Sequence, residues 1–180
     1  EITPPDFHRR TFARLARALS GSTLRVVISL MDRYPKLSRR LQEMDGQGAR
    51  LLAWELPSSS GDAQVKQVKE PGQLPEWLAE LLRDLASIAE SQGMEIVSCA
   101  EAIDLRPFGI QPGKCVDDEV FFKAFGVRLP GGKDPGQRPA CGCIPSVDIG
   151  MYDTCLLECR YCYATSSFER ARHNYQRHDP

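Results

Sequence analysis

Three cysteines near the end of the sequence are spaced as ligands of an iron–sulfur cluster. Cys155, Cys159 and Cys162 follow one another closely enough for one loop to wrap a cubane. Three protein ligands for four irons leave one iron with an open coordination position, which a substrate or cofactor can occupy. Bacterial ferredoxins use a different spacing and a proline after the last cysteine. The spacing therefore predicts a [4Fe–4S] cluster with an open iron.

The other cysteines match the number of ligands that one further metal site needs. They are Cys99, Cys115, Cys141 and Cys143. Four thiolates suit a second iron–sulfur cluster or one tetrahedral zinc ion. Cys99 ends a predicted strand and Cys115 lies in the loop after it, so all four could converge at the carboxyl edge of a sheet. The alternative is that they are small core residues, and the sequence leaves both interpretations open.

Two other interpretations apply to the first three cysteines. They could form a structural zinc site that borrows Cys141 or Cys143 as its fourth ligand, although the spacing and the aromatic Tyr161 favour iron. A disulfide framework is disfavoured because the chain has an odd count of seven cysteines and starts without an export signal.

The composition is that of a globular protein. The 180 residues are 42% hydrophobic and 26% charged, enough for one core of ordinary size plus an appendage. The net charge of -1 gives no electrostatic reason to expect nucleic acid or a membrane surface as a partner. The longest apolar run, 24–30, is far too short to cross a bilayer. We therefore expect a cytoplasmic protein without a membrane or nucleic-acid partner.

Helix and strand patterns alternate through the first hundred residues. Apolar residues at helical spacing predict a helix over 5–20, and a β-branched run predicts a strand over 24–30 that is buried on both faces. The next predicted elements are a short basic helix over 35–44, a loop over 45–72, an amphipathic helix from Pro75 to Gly93 and a strand over 94–98. This order predicts an α/β fold with a parallel sheet, either doubly wound or a partial (β/α) barrel, and we expect the barrel-like form.

The chain is predicted to have three parts. Residues 1–129 would form the partial α/β, barrel-like domain, which includes a short helix over 117–125. Residues 130–140 are rich in glycine, proline and lysine and read as a linker. Residues 141–180 would form a cysteine-rich iron–sulfur segment with a basic tail.

A few polar residues follow predicted strands. Asp32 and Tyr34 come after the first strand and Glu101 after the second, the position where barrel enzymes carry catalytic groups. These three are the catalytic candidates, although caps, turns and solvated surface explain such residues equally well. Basic runs over 33–40 and 170–178 could contact phosphates, but charge runs are usually solvated faces.

The three late cysteines resemble the motif of the radical-SAM superfamily, Cys-x-x-x-Cys-x-aromatic-Cys, with Tyr161 in the aromatic position. A wider set of residues resembles a family of unknown function that has a C-terminal cysteine cluster. That set comprises Cys99-Ala100-Glu101, Ile103-Asp104-Leu105, Gly113-Lys114-Cys115, Gln137-Arg138, Cys141-Gly142-Cys143, 146–150, Tyr152, Thr154-Cys155 and 161–164. The resemblance runs from about Leu24 to Ala164.

The resemblance implies a reaction. The three late cysteines would bind three irons, and S-adenosylmethionine (SAM) would chelate the fourth through its amino and carboxylate groups. An electron from a donor such as a flavodoxin or ferredoxin would split the sulfonium, and the 5′-deoxyadenosyl radical would take a hydrogen atom from an unknown substrate. Tyr161 would lie near the adenine, and Tyr163 is the second candidate for cofactor binding.

The sequence departs from typical radical-SAM enzymes in two ways. Their motif follows the first barrel strand, whereas here it lies near the C-terminal end. Those enzymes also have a Gly-Gly-Glu motif that holds the SAM amino group. The nearest counterpart here, Gly131-Gly132-Lys133, has lysine in place of the acid. We expect a radical-SAM enzyme or the C-terminal part of one. The alternatives are a non-catalytic iron–sulfur or zinc module for electron transfer or partner binding, and a lyase that repairs nucleic-acid lesions.

Overall fold

A computed structural model describes residues 4–31, 37–46 and 70–177 of the chain. The described residues form two compact units. We call residues 4–31 with 70–146 the sheet unit, and residues 37–46 with 147–177 the loop unit. Cys99, Cys115, Cys141 and Cys143 belong to the first unit, and the three late cysteines to the second.

The sheet unit is built on a parallel sheet. In the part of the chain that the structure describes, the strands are β1 (Arg25–Ile28), β2 (Glu95–Cys99) and β3 (Gln111–Gly113), in that order across the sheet. Arg25 pairs with Glu95, and Cys99 pairs with Gly113. The predicted α/β fold with a parallel sheet is confirmed at this level, and its central strand β2 carries the buried residues.

Two details of the sheet differ from the prediction. The strand over 24–30 is not buried on both faces, since Leu24 is 81% and Val27 41% exposed, and among the described strands β1 lies at an edge of the sheet. The segment between Cys99 and Cys115, predicted as a loop, contains the short strand β3. Pro112 in β3 lacks a backbone N–H, which an edge strand tolerates.

The helices follow the apolar periodicity of the sequence. In chain order they are α1 (Pro5–Leu19), α2 (Ser38–Gly46), α3 (Glu76–Ser91), α4 (Asp118–Phe125) and α5 (Phe168–Gln176). Asp117 caps α4 by accepting the backbone N–H groups of Glu119 and Val120. The predicted helices over 5–20, 75–93 and 117–125 are confirmed within a few residues. The predicted loop over 45–72 lies mostly outside the described residues.

The core of the sheet unit lies where α1 and α3 pack together and β2 adjoins α3. Leu82 of α3, Val97 of β2, and Leu105 and Ile110 of the following turn are almost completely buried. Arg9 of α1 donates a 2.5 Å hydrogen bond to Asp84 of α3. Among the helices described above, none combines the length and apolar character that crossing a bilayer requires.

Candidate metal centres

The end of β2 and the residues after β3 bring two cysteines together. Cys99 is the last residue of β2, and its partner in β3 is Gly113. Cys115 follows that partner by two residues and therefore returns to the same edge of the sheet. The Sγ atoms of Cys99 and Cys115 are 3.0 Å apart. Both are free thiols, since a disulfide would join the sulfurs at about 2.05 Å.

Cys143 joins this pair through hydrogen bonds to its sulfur. The backbone N–H groups of Cys115 and Val116 donate to Cys143 Sγ at 3.2 and 3.4 Å. The next residue, Ile144, donates its own N–H to the Val116 carbonyl at 3.2 Å, so the two segments run side by side. Cys141 interacts with Cys143 through its thiol. We call Cys99, Cys115, Cys141 and Cys143 the sheet-edge cysteine group.

A buried carboxylate holds the loop that carries Cys141 and Cys143. Asp134 accepts hydrogen bonds from the N–H groups of Gly136 at 2.8 Å and Ser146 at 3.3 Å. Its own N–H donates to the Cys143 carbonyl at 2.9 Å. Asp134 therefore ties together both ends of residues 134–146. Part of the predicted linker over 130–140 thus packs onto the cysteine group.

The thiols of the sheet-edge group differ in acidity. Burial, reinforced by the Cys115 thiol, raises the pKa of Cys99 to about 12, and burial also raises the pKa of Cys141. Burial opposes ionisation of Cys143 too, but the N–H of Val116 and the Cys141 thiol outweigh it, and the Cys143 pKa is lowered. The Cys143 thiol therefore ionises more readily than the thiols of Cys99 and Cys141. Within the described ranges, no three His, Cys, Asp or Glu side chains form a ready-made metal shell.

The three late cysteines lie on one irregular segment of the loop unit. We call 153–166 the three-cysteine loop. Cys155 and Cys159 are exposed and Cys162 is half-buried. Glu158 has a φ of +51°, a left-handed conformation that turns the backbone between the first two cysteines. The Thr165 hydroxyl, 3.6 Å from Cys162 Sγ, lowers the pKa of that thiol.

Hydrogen bonds close the base of the three-cysteine loop. The N–H of Asp153 donates to the Ala164 carbonyl at 2.9 Å. The Asp153 carboxylate accepts the N–H groups of Ser166 at 2.5 Å and Ser167 at 3.3 Å, and also the Ser166 hydroxyl. These bonds lower the pKa of Asp153, with the Ser166 hydroxyl first among the causes. The loop is thus closed by protein contacts alone.

The two helices of the loop unit support this base. Arg40 of α2 donates to the carbonyls of Cys162 at 3.2 Å and Thr165 at 2.5 Å. Asn174 of α5 donates to the Asp153 carbonyl at 3.0 Å. Sequence reasoning missed Arg40, Asp153 and Asp134 as framework residues, and the one available signal was the position of Asp153 just before the first cysteine of the motif.

Replacing Asp153 by alanine is expected to open the loop. The change removes the acceptor of the Ser166 and Ser167 N–H groups, and each of these part-buried hydrogen bonds contributes about 0.5–1.5 kcal/mol. Iron content after anaerobic reconstitution should fall several-fold, as measured by elemental analysis. Asp148→Ala is the matched control, because Asp148 is exposed and its hydrogen-bond partner within the described ranges is the N–H of nearby Gly150. Equal iron content in the two variants would contradict this role of Asp153.

Of the three residues predicted to be catalytic, the structure describes one, Glu101. Glu101 accepts the Leu30 N–H at 2.8 Å and the Ser29 hydroxyl at 3.1 Å, so it joins the ends of β1 and β2, and burial raises its pKa. Asp32 and Tyr34 lie outside the described residues. A catalytic role for the three stays a prediction.

Two arginines of the basic tail pair with acidic side chains. Most of it forms α5, where Arg172 pairs with Glu158 and Arg170 lies 3.7 Å from Asp153. Arg40 is likewise bonded to backbone carbonyls. These arginines therefore stabilise the loop unit itself. They give little support to phosphate binding.

One comparison with known proteins returned a match. A family model described as "Domain of unknown function (DUF1848)" matches residues 1–164, which include all seven cysteines. No curated protein and no solved structure matches the chain significantly.

Proposed function

The chain belongs to the DUF1848 family of domains of unknown function, and from that premise we propose that it is an iron–sulfur protein of the radical-SAM type. The observation that carries the proposal is the partition of the cysteines. Four thiols are engaged with one another at the sheet edge, and the remaining three share a single loop. Three thiolates suit a [4Fe–4S] cluster whose fourth iron stays open.

The three-cysteine loop fits such a cluster in its chemistry. Asp153 closes the base of the loop. Little backbone conformational entropy is therefore lost when the thiols bind iron. Cys155 and Cys159 are exposed to incoming iron and sulfide, and Cys162 has a lowered pKa that favours the thiolate form. The guanidinium of Arg40, bonded to the Cys162 carbonyl, partly offsets the negative charge that a cluster brings.

A cluster with SAM on its open iron would supply reductive cleavage of the sulfonium and a radical that abstracts a hydrogen atom from the substrate. The protein's part is to bind and orient. Tyr161 and Tyr163 flank Cys162 in sequence and offer exposed aromatic faces on which adenine could stack. We place this chemistry in the cytoplasm, where thiols stay reduced, with a flavodoxin or ferredoxin as electron donor.

We also propose that the sheet is part of a (β/α) barrel. The strand order β1-β2-β3 follows the chain without the reversal that a doubly wound sheet has at its switch point. The connection between β2 and β3 departs from the barrel pattern, since it contains a single 3-10 turn, Arg106–Phe108, in place of a helix.

A second candidate is an electron-transfer module that holds the same cluster without SAM. Exposure favours it, because radical chemistry requires a site closed to water, whereas Cys155, Cys159 and Leu157 face solvent in the loop unit. Gly131-Gly132-Lys133 also lacks the acid that the radical-SAM pattern provides for the SAM amino group.

EPR spectroscopy separates the two candidates. The chain is reconstituted anaerobically with iron and sulfide, reduced, and measured with and without SAM. We expect the signal of a reduced [4Fe–4S] cluster whose shape changes when SAM ligates the open iron. A cluster signal that SAM does not alter would favour the electron-transfer module. Failure to form any cluster, while the chain remains folded, would overturn both.

A further inference from the structure

We propose that the sheet-edge cysteine group is a structural zinc site, in which the thiolates of Cys99, Cys115, Cys141 and Cys143 bind one Zn²⁺ tetrahedrally. This site is separate from the three-cysteine loop and does not depend on the radical-SAM proposal. It would fasten the ends of β2 and β3 to the loop over 134–146.

The spacing of the sulfurs favours one small ion. A zinc–sulfur bond of about 2.3 Å places the sulfurs of a tetrahedral site about 3.8 Å apart. Cys99 and Cys115 Sγ are 3.0 Å apart, so a modest side-chain rotation reaches that spacing. In a cubane each thiolate binds a different iron, which holds the sulfurs much further apart. The 3.0 Å between Cys99 and Cys115 Sγ is therefore closer to the spacing of a tetrahedral zinc site than to that of a cubane.

The hydrogen bonds to Cys143 are of the kind that support a metal-bound thiolate. Two backbone N–H groups, from Cys115 and Val116, point at the same sulfur. A neutral thiol has little use for two donors, whereas a thiolate ligand is stabilised and oriented by them. The carbonyl of Cys143 is fixed as well, by the N–H of Asp134. This ligand is therefore positioned before any ion arrives.

The surrounding charges suit a dication with four thiolates, which carries two negative charges in total. Lys133 is held nearby by hydrogen bonds to the carbonyls of Asp134 and Gln137, and its charge favours the thiolate of Cys141. Thiols must lose their protons to bind the ion as thiolates, so zinc binding should release protons.

Two of the four thiols are buried, whereas Cys99 is half-buried and Cys115 is exposed, and the number of ligands indicates a structural ion. Cys141 is 6% and Cys143 7% exposed. Four protein ligands complete a tetrahedral shell and leave no position for water or substrate, which distinguishes structural from catalytic zinc. The ligands come from β2, from the residues after β3 and from the loop over 134–146. One ion would thus replace part of the core that this short sheet cannot supply.

Elemental analysis of the intact chain and of a triple variant tests the proposal. After anaerobic purification and iron–sulfide reconstitution, we expect about one zinc ion per chain. The variant with Cys155, Cys159 and Cys162 changed to Ala should keep this zinc and lose its iron. Cys115→Ser and Cys141→Ser should each lose the zinc and keep the iron.

A second measurement needs no variant and covers the case in which a Cys→Ser change prevents folding. Titrating the native chain with a mercurial reagent should release zinc in step with modification of about four thiols. Replacement of zinc by Co²⁺ should give thiolate-to-cobalt charge-transfer absorption and the strong ligand-field bands of tetrahedral coordination.

Several results would overturn the site. They are zinc absent from the native chain, zinc lost from the triple variant, iron retained by the triple variant, and a Cys99–Cys115 disulfide in protein trapped by rapid alkylation under anaerobic conditions. The native chain could still show a SAM-dependent EPR signal when zinc is absent from it, when the triple variant retains iron, or when a Cys99–Cys115 disulfide is trapped. In each of these cases the zinc site fails and the proposed function stands.

Discussion

Replacing Cys159 by alanine is expected to abolish the SAM-responsive EPR signal of the reduced protein. A cubane with only two protein thiolates is held too weakly to survive reduction and desalting, and iron retained by the loop should fall by at least about tenfold. The fold should be little affected, because Cys159 is exposed and exposed substitutions usually change stability by less than about 0.5 kcal/mol.

The matched control for this variant is Leu157→Ala. Leu157 lies on the same three-cysteine loop and is 80% exposed, so its loss changes the loop surface without removing a ligand. It should retain both iron and the response to SAM. Iron and acid-labile sulfide analysis, circular dichroism and EPR with and without SAM complete the comparison. If Cys159→Ala keeps the signal, the cluster is not on this loop; if it loses zinc together with iron, the division into two sites is wrong.

Replacing Gly113 by alanine is expected to destabilise the sheet unit and to disperse the sheet-edge cysteine group. A Cβ at this position would lie 2.5 Å from Val97 Cγ2, 2.6 Å from Val97 Cβ and 3.1 Å from the Ser98 carbonyl oxygen. Val97 is 1% exposed in the core and has no room to retreat, so β3 must move away from β2. Overpacking of this kind costs about 1–3 kcal/mol.

The displacement of β3 has a second consequence. Gly113 is the partner of Cys99, and it sets the approach of Cys115 two residues later. Zinc content should therefore fall along with stability in Gly113→Ala. Gly72→Ala is the control, because a Cβ at Gly72 meets nothing within 4 Å. Urea unfolding and zinc analysis of both variants test this, and a Gly113→Ala protein as stable as Gly72→Ala would refute the close contact between the strands.

The elements with strong local signals were predictable. The helices α1 and α3 carry long apolar stripes, α4 has a capping aspartate, and β2 has a continuous buried run. The position of β1 at a sheet edge was not predictable, since strand order is a property of the whole chain. The strand β3, at Gln111-Pro112-Gly113, has no hydrophobic pattern, and its pairing with β2 defines it as a strand.

The candidate sites also contain some residues that the sequence could predict and others that it could not. Cysteine type and spacing are enough to predict candidate ligands, because the three late thiols lie within one short segment. The residues that hold them in place were not visible, because their hydrogen bonds join distant parts of the chain. Asp153 reaches Ser166 across 13 residues, and Arg40 reaches Thr165 across 125. No periodicity or motif reports contacts at that separation.

The contact between Arg40 and Thr165 has a consequence for biosynthesis. A chain emerging from the ribosome exposes its N-terminal part first, and domains fold as they become complete. The sheet-edge cysteine group ends at Cys143, so it leaves the ribosome before Thr165, which Arg40 must bind to support the three-cysteine loop. If both centres are filled during synthesis, zinc enters first and iron last. Such an order of metallation would delay the oxygen-sensitive cofactor until its supporting helix contacts exist.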